Sequence, residues 1–207
     1  MAKERLVIIC PGRGSYTRES SGYLNSKKNI ADQEISWMNN QREAINLPTL
    51  NDLDSSPFKS KTHMIGVNAS PLIYACSYVD FFSINKNKYE IVAITGNSMG
   101  WYTTLALSGV LAFENAYKLI NVMSSLTKDD NGGQIIYPIV NQNWQIDESI
   151  YSMVLNEIKK VGAYVSINLG GYIVIAGKQD SLNKLLKRLP VNDKYPFQLP
   201  YHSAYHS

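Results

Sequence analysis

The strand-like run Tyr89-Glu90-Ile91-Val92-Ala93-Ile94 leads into Gly96-Asn97-Ser98-Met99-Gly100, and the helix-forming stretch Trp101-Tyr102-Thr103-Thr104-Leu105-Ala106-Leu107 follows. A strand that turns into a helix across a G-x-S-x-G string restricts this chain more than any other feature, because the two elements must then pass within backbone contact of each other. Glycine on either side of the serine permits that approach, while the sharp turn forces Ser98 into a strained conformation with its hydroxyl turned outward. The pattern reads as a nucleophile elbow. The helix N-terminus behind it places the backbone N–H of Met99 where it can stabilise an oxyanion. A serine in an ordinary glycine-rich loop is the plain alternative; the strand before and the helix after favour the elbow.

With 207 residues, 44% of them hydrophobic and 18% charged, the chain can bury a core and form one domain with a smaller inserted lobe. The formal net charge of +3 is not gathered into an arginine-rich stripe or a basic run interleaved with aromatics, so no nucleic-acid partner is expected. No apolar run is long enough to cross a bilayer, and residues 6–10 are too short for a signal peptide core, so the expectation is no membrane and a cytoplasmic location. Cys10 and Cys76 sit in apolar contexts with no Cys or His at ligand spacing, and read as buried thiols, with no metal and no disulfide.

The first strand, residues 6–10, ends at Pro11-Gly12-Arg13-Gly14-Ser15, a glycine-rich turn without the spacing or the lysine of a phosphate loop. Residues 16–60 are polar and rich in Asn and Ser, with one amphipathic stretch over 30–45, and are expected to form helices and loops on the surface. Asn68-Ala69-Ser70-Pro71 supplies a cap and a proline ahead of continuous apolar character to Phe82, which predicts a buried helix starting there. Residues 113–123 carry the i, i+3, i+4 spacing of an amphipathic helix. The cluster Asp129-Asp130-Asn131-Gly132-Gly133 is the best domain boundary. Past it, strand 134–140, helix 147–161, strands 163–168 and 172–176, helix 181–189 and a short strand over 195–199 follow in the order β-α-β-β-α-β of a ferredoxin-like lobe.

A serine nucleophile needs a base, and histidine suits that role. Of the three histidines, His63 falls in a polar loop and reads as a surface residue, while His202 and His206 lie in Leu199-Pro200-Tyr201-His202-Ser203-Ala204-Tyr205-His206-Ser207. Residue type and position alone do not choose between the last two.

Taken together, these segments resemble the acyltransferase family of malonyl-CoA:acyl-carrier-protein transacylases and polyketide synthase acyltransferase domains, over almost the whole chain. Pro11-Gly12-Arg13-Gly14-Ser15 resembles the family's P-G-Q-G-S, and Gly96-Asn97-Ser98-Met99-Gly100-Trp101-Tyr102 resembles G-H-S-L-G-E-Y. Ser108-Gly109-Val110-Leu111-Ala112-Phe113-Glu114-Asn115-Ala116 resembles A-G-x-L-x-F-E-D-A, and Asn168-Leu169-Gly170-Gly171-Tyr172-Ile173-Val174-Ile175-Ala176-Gly177 resembles N-x-P-x-Q-x-V-I-A-G. The resemblance implies an α/β fold: an α/β-hydrolase-like core with a parallel sheet over residues 1–130 and 200–207, an inserted ferredoxin-like subdomain over 131–199, and an active site in the cleft between them. It implies that Ser98, activated by His206, takes an acyl group from a coenzyme A thioester and yields it to the phosphopantetheine thiol of an acyl carrier protein, with no cofactor besides that thioester substrate. Backbone N–H groups of Met99 and Arg13 would form the oxyanion hole, and Met123, Asn97 and Asn168 would face the substrate.

The departures from the family pattern bear on substrate. Met123 stands where malonyl-specific members carry an arginine that grips the free carboxylate, and no other arginine lies between Arg42 and Arg188. A thioether makes no charge-assisted hydrogen bond, and a carboxylate buried against it would be several kcal/mol worse off, so the acyl group is expected to be malonyl or a non-carboxylated acyl. Asn97, Trp101 and Arg13 replace the family's histidine, acidic residue and glutamine, leaving open a different donor, acyl-thioester hydrolysis, or a catalytically impaired docking lobe of a larger synthase. The family's core also continues past its histidine, whereas this sequence stops at Ser207. The expectation is that the C-terminal part of the core is missing and that a second chain or missing segment completes it.

Overall fold

Strands β1 (Glu4–Cys10) and β2 (Tyr89–Gly96) run parallel, with Leu6 opposite Ile91 and Cys10 opposite Gly96. A parallel pair requires a crossover, and here it is helical. After a 3-10 turn at Arg18–Ser20 come α1 (Tyr23–Ser26), α2 (Asp32–Glu43), α3 (Leu50–Ser55), α4 (Ser60–His63) and α5 (Gly66–Ser83). Helices α6 (Gly100–Leu107) and α7 (Phe113–Ser125) follow β2. Next are β3 (Gly132–Pro138), α8 (Glu148–Val161), β4 (Tyr164–Asn168), β5 (Tyr172–Lys178), α9 (Gln179–Arg188) and β6 (Phe197–Gln198). The computed structural model describes residues 2–27, 29–126 and 131–206; Asp129 and Asp130 of the expected boundary cluster, and Ser207 of the histidine segment, lie outside them. The chain divides into two compact units, Met1–Leu126 and Thr127–Ser207.

In the first unit, Leu72, Ile73, Tyr74 and Ala75 of α5 are buried with Cys10 of β1, Leu107 of α6 and Ala116, Tyr117 and Ile120 of α7. Helix α5 is apolar on most sides, as a central helix must be. It starts three residues earlier than its sequence suggests: Ile65, not Asn68, is the N-cap, and Asn68 and Pro71 both lie inside the helix. Proline there cannot donate to the carbonyl four residues back, that of Val67. Arg42, on α2 and almost wholly buried, makes good the loss: its Nη1 donates to Val67 O at 2.8 Å, its Nη2 to Asn68 Oδ1 at 2.6 Å and its Nε to Pro48 O at 2.5 Å. Asn68 is thus engaged sideways, its Nδ2 donating to Thr62 O at 2.9 Å, and does not cap the helix.

The expectation of a surface location for residues 16–60 is corrected. Tyr16, Leu24, Ile35, Met38, Arg42, Leu50, Leu53 and Asp54 are all buried. The polar composition that suggested exposure is spent on internal hydrogen bonds, which is how polar groups become buried at low cost. Asp54 accepts from Tyr16 Oη at 2.7 Å and from the backbone and side-chain nitrogens of Asn25, both at 2.8 Å. Asn51 Nδ2 donates to Asn25 Oδ1, Asn39 Nδ2 to Asn51 Oδ1, and Leu50 N to Asn39 Oδ1, so asparagines join α1, α2 and α3.

The other face of the β1 and β2 pair is open. Ile9 is 72% exposed, Val7 53% and Val92 38%. Parallel strands are ordinarily covered on both faces, and these three apolar side chains are left partly open to solvent among the described residues.

The second unit is a four-stranded antiparallel sheet in the order β4-β5-β3-β6, with the β-α-β-β-α-β succession expected from the sequence. Val154 and Ile158 of α8 and Leu182 and Leu185 of α9 pack with Ile135, Tyr137, Ile173 and Ile175 of β3 and β5. Asp147 caps α8 through Ser149 N and Ile150 N, and Gly162 ends it at φ +67. Residues 200–206, assigned from the sequence to the core, are tied here to the sheet of the second unit, where Gln134 and Ser166 both donate to Tyr205 O.

Candidate active site

Asn97 N donates to Cys10 O at 3.1 Å, one residue beyond the last β1 to β2 pair, so the strand pairing carries straight into the turn. Ser98 then adopts φ +53, in the left-handed region, and Met99 returns to φ −54 as the N-cap of α6. A residue with a Cβ costs about 1–2 kcal/mol in that region, so neighbouring contacts must impose it. They are visible. Gly100 N donates to Asn97 O at 2.8 Å, Trp101 N to Ser98 O at 3.0 Å and Tyr102 N to Met99 O at 3.0 Å, three successive i to i+3 bonds that wind the turn tightly.

The flanking glycines are there for close approach. A Cβ on Gly96 would run into the Gly100 carbonyl and stand 2.7 Å from Trp101 N. On Gly100 it would run into Cys10 O and lie 2.8 Å from Cys10 C and 2.9 Å from Pro11 O. A third approach involves Gly12, where a Cβ would meet Asn97 O at 2.9 Å and Ser98 Cβ at 3.4 Å. The strand, turn and helix expected from the sequence are all present, with Ser98 half-buried and Asn97 exposed. Met99, its side chain buried, sits where helix geometry leaves N–H groups without an intrahelical acceptor.

Arg13 follows the Gly12 contact and is half-buried. Its Nη1 and Ser124 O would each lie 3.0 Å from a Cβ placed on Gly66, so the guanidinium ends beside the first turn of α5 and the last turn of α7. Met123, beside Ser124, is 37% exposed. Asn168, at the end of β4 in the second unit, is exposed, and its Oδ1 accepts from Gly170 N at 3.0 Å to shape the turn into β5.

The histidines divide as follows. His63 is buried, which corrects its reading as a surface residue. Its Nε2 donates to Leu53 O at 2.9 Å and its Nδ1 accepts from Lys59 N at 3.0 Å, while Tyr16 and Phe58 stack on its ring. Nε2 thus ties α4 to α3, while Nδ1 is taken up by Lys59, the N-cap of its own helix. His202 Nδ1 donates to Pro200 O at 3.1 Å. His206, at φ +57, directly follows the Tyr205 carbonyl held by Gln134 and Ser166. That clamp, and the Asp54 and Arg42 networks, carry no motif in the sequence, because each joins single polar residues far apart in the chain.

Burial raises the Cys10 thiol and pushes that of Cys76 up to about 12, with Asp54 and Asp80 adding to the effect. Both thiols stay protonated and are poor rivals to the serine as nucleophiles. They line a cavity of about 360 Å³ with Ile8, Tyr16, Asp80 and Leu107, and Ser98 is not among its lining residues. Among the described residues no three His, Cys, Asp or Glu side chains come together as a metal site, and no helix is long and apolar enough to cross a membrane.

No family model matches the chain. A malonyl CoA-acyl carrier protein transacylase of Buchnera aphidicola subsp. Schizaphis graminum is 22% identical over 204 residues, 97% of this chain and 64% of that relative. The crystal structure of the transacylase from Mycobacterium tuberculosis superposes with a TM-score of 0.74 at 20% identity, over 99% of this chain and 65% of that one. A malonyl-transacylase in complex with a type II polyketide synthase acyl carrier protein gives a TM-score of 0.67 at 18% identity, over 90% of this chain and 59% of that one. The relatives found are thus of the family that the motifs resemble, and the chain shares their α/β fold. It spans just under two thirds of the length of the relatives it matches.

Proposed function

We propose that this chain carries the acyl-accepting machinery of an acyltransferase that moves an acyl group from coenzyme A to the phosphopantetheine thiol of an acyl carrier protein. The observation that carries the reading is the turn at Ser98: a left-handed serine held between two glycines that admit no Cβ, at the junction of a parallel strand and a helix. Such strain persists at sites where it serves chemistry. The transacylase relatives support it, as does the neighbour solved with its carrier protein.

In this reading Ser98 Oγ attacks the thioester carbonyl while His206 takes its proton, and the coenzyme A thiolate leaves with that proton returned to it. The N–H groups of Met99 and Arg13 stabilise the tetrahedral oxyanion, and the carrier thiol then reverses the sequence. Asn97 and Asn168 belong to the substrate surround, and no cofactor is needed beyond the thioester itself. The first unit is an α/β-hydrolase-like core, the second a ferredoxin-like subdomain, and the setting is cytoplasmic. Further polypeptide, from this chain's own gene product or a second chain, covers Val7, Ile9 and Val92.

Incubation with acetyl-, malonyl- and longer acyl-coenzyme A, followed by intact mass, tests the reading. A mass increment on Ser98 that is discharged by carrier thiol is the expected result; turnover to free acid would replace transfer by hydrolysis, and no increment with any donor would sink both. Met123→Arg is expected to raise malonyl use relative to acetyl by roughly tenfold or more, since it restores a charge-assisted pair. An unchanged ratio would mean that the carboxylate is read elsewhere, and Arg13→Gln would then identify the guanidinium beside α7 as its reader.

A further inference from the structure

The second unit contains a small polar device that the acyl-transfer chemistry has not yet used. Gln134 lies on β3 with its side chain buried, and its Nε2 donates both to Ser166 Oγ at 2.8 Å and to Tyr205 O at 3.0 Å. Ser166, on the edge strand β4, donates its own hydroxyl to Tyr205 O at 2.7 Å. One backbone carbonyl therefore receives two hydrogen bonds from side chains on two different strands, and those side chains bond each other. The same segment is fixed at its start, where Leu199 N donates to Gln134 O at 2.9 Å.

The carbonyl so held belongs to the peptide bond that joins Tyr205 to His206. A peptide unit is planar, so two bonds to its oxygen fix the orientation of the whole plane, including the nitrogen and Cα from which the imidazole projects. His206 is itself at φ +57, a conformation that residues with a Cβ rarely adopt and that persists only where the surroundings over-determine it. Residues 199–206 contain no helix or strand of their own to supply that rigidity. A buried glutamine amide is costly unless satisfied, and this one meets its donors' needs only with the segment in place.

We propose that Gln134 and Ser166 are positioning residues for His206. By clamping the carbonyl of residue 205 they hold the imidazole at the angle and distance its proton transfer requires, without touching substrate. The inference rests on the reading of His206 as the base that activates Ser98. It adds that the base is aimed by a hydrogen-bonded pair on the sheet beneath it.

The test uses the full chain and a fluorophosphonate probe: Ser98 Oγ bonds to phosphorus, fluoride leaves, and the serine proton passes to the base. Labelling rates are followed by intact mass for wild type, Gln134→Leu, Ser166→Ala, Ser166→Thr and the pair Gln134→Leu with Ser166→Ala. Each single loss is expected to slow labelling about tenfold and the pair about a hundredfold, the scale of small misplacements of catalytic groups. Ser166→Thr keeps the hydroxyl and is expected to label within about twofold of wild type. The decisive arm is a cycle with His206→Ala supplemented by free imidazole. There the base no longer hangs from the clamped peptide, so Gln134→Leu should add no further loss. An equal loss in that background would mean a merely structural role and would overturn the inference while leaving the base in place. A His206→Ala chain that labels as fast as wild type without imidazole would instead overturn the base assignment, and the positioning role with it.

Discussion

Gly100→Ala is the sharpest probe of how the elbow is built. The added methyl would run into Cys10 O and lie 2.8 Å from Cys10 C and 2.9 Å from Pro11 O, all backbone atoms that no rotamer change can move. To reach ordinary contact, the end of β1 must retreat from α6 by roughly 1 Å, and overpacking of that kind costs about 1–3 kcal/mol. The same retreat strains the bond from Asn97 N to Cys10 O, whose loss in a half-buried setting adds about 1–2 kcal/mol. The sum, about 2–5 kcal/mol, is a large part of the stability of a typical domain. With a urea slope of about 2 kcal/mol/M, the unfolding midpoint should fall by roughly 1–2.5 M. Fluorophosphonate labelling of Ser98 should fall as well, because the clash lies at the turn itself. Gly109→Ala is the control: at φ +76 with no heavy atom within 4 Å of the new methyl, it carries only the left-handed strain, about 1 kcal/mol, and should label normally. If Gly100→Ala unfolded at the Gly109→Ala midpoint with native labelling, close approach would not be what the elbow requires.

Three further outcomes follow from the same structure. Ser98→Gly should be more stable than Ser98→Ala by about 1 kcal/mol in urea unfolding, since glycine alone is at ease at φ +53; equal stabilities would mean that the turn relaxes when the hydroxyl is removed. Arg42→Met should destabilise by about 3–5 kcal/mol, because it strips donors from Pro48 O, Val67 O and Asn68 Oδ1 in a buried setting, and an unfolding free energy within about 0.5 kcal/mol of wild type would contradict that account. Glu157, paired with Arg188 and with Lys160 at 2.7 Å, has its carboxyl lowered from 4.5 to about 2. Because the folded state lowers it, the pair's contribution is whole above pH 4.5 and fades as pH falls toward 2. Amide protection factors in α8 and α9, taken against the intrinsic exchange rate at each pH, should therefore fall across that window, less so at high salt and not at all in Glu157→Gln.

Legibility in the sequence followed locality. The elbow was readable because G-x-S-x-G, its strand and its helix are contiguous, and the steric demand on Gly96 comes from Gly100 and Trp101 close by in sequence, whereas that on Gly100 comes from Cys10 and Pro11 at the end of the distant β1. The succession of elements past residue 131 was readable for the same reason, since each has its own period, and α8 is bounded by the cap of Asp147 and by Gly162. Residues 16–60 were misjudged because composition reports polarity and not pairing: Asp54 is buried by virtue of Asn25 and Tyr16, 29 and 38 positions away. His63 was misplaced likewise, since the Leu53 carbonyl and the rings of Tyr16 and Phe58 that enclose it become its neighbours only after folding. The start of α5 was missed because Asn68 and Pro71 resemble a helix beginning until Arg42 arrives to satisfy the carbonyl that the proline leaves free.

The strain at Ser98 and the bare sheet face belong to one physical problem. The conformation at φ +53 is enforced from one side by α6 and from the other by the end of β1, through the Asn97 to Cys10 bond and the Gly100 approach. A strand can hold a strained neighbour only as firmly as it is itself held, and β1 is secured by β2 and by the helices under Ile8 and Cys10, while Val7 and Ile9 on its other face meet solvent. Covering what remains exposed of these two side chains would stabilise β1 by about 1–2 kcal/mol each, comparable to the strain stored at the serine. Whatever packs over Val7 and Ile9 is therefore linked to the geometry of the nucleophile: it favours the state in which β1 is in place, and that state is the one that holds Ser98 at φ +53. The replacements Val7→Thr and Ile9→Thr, which remove apolar surface without touching the turn, should leave Ser98 labelling unchanged in the chain taken alone. A polypeptide that packs on that face should raise labelling of the wild-type chain and leave that of the threonine variants unchanged; an equal response in both would sever the link.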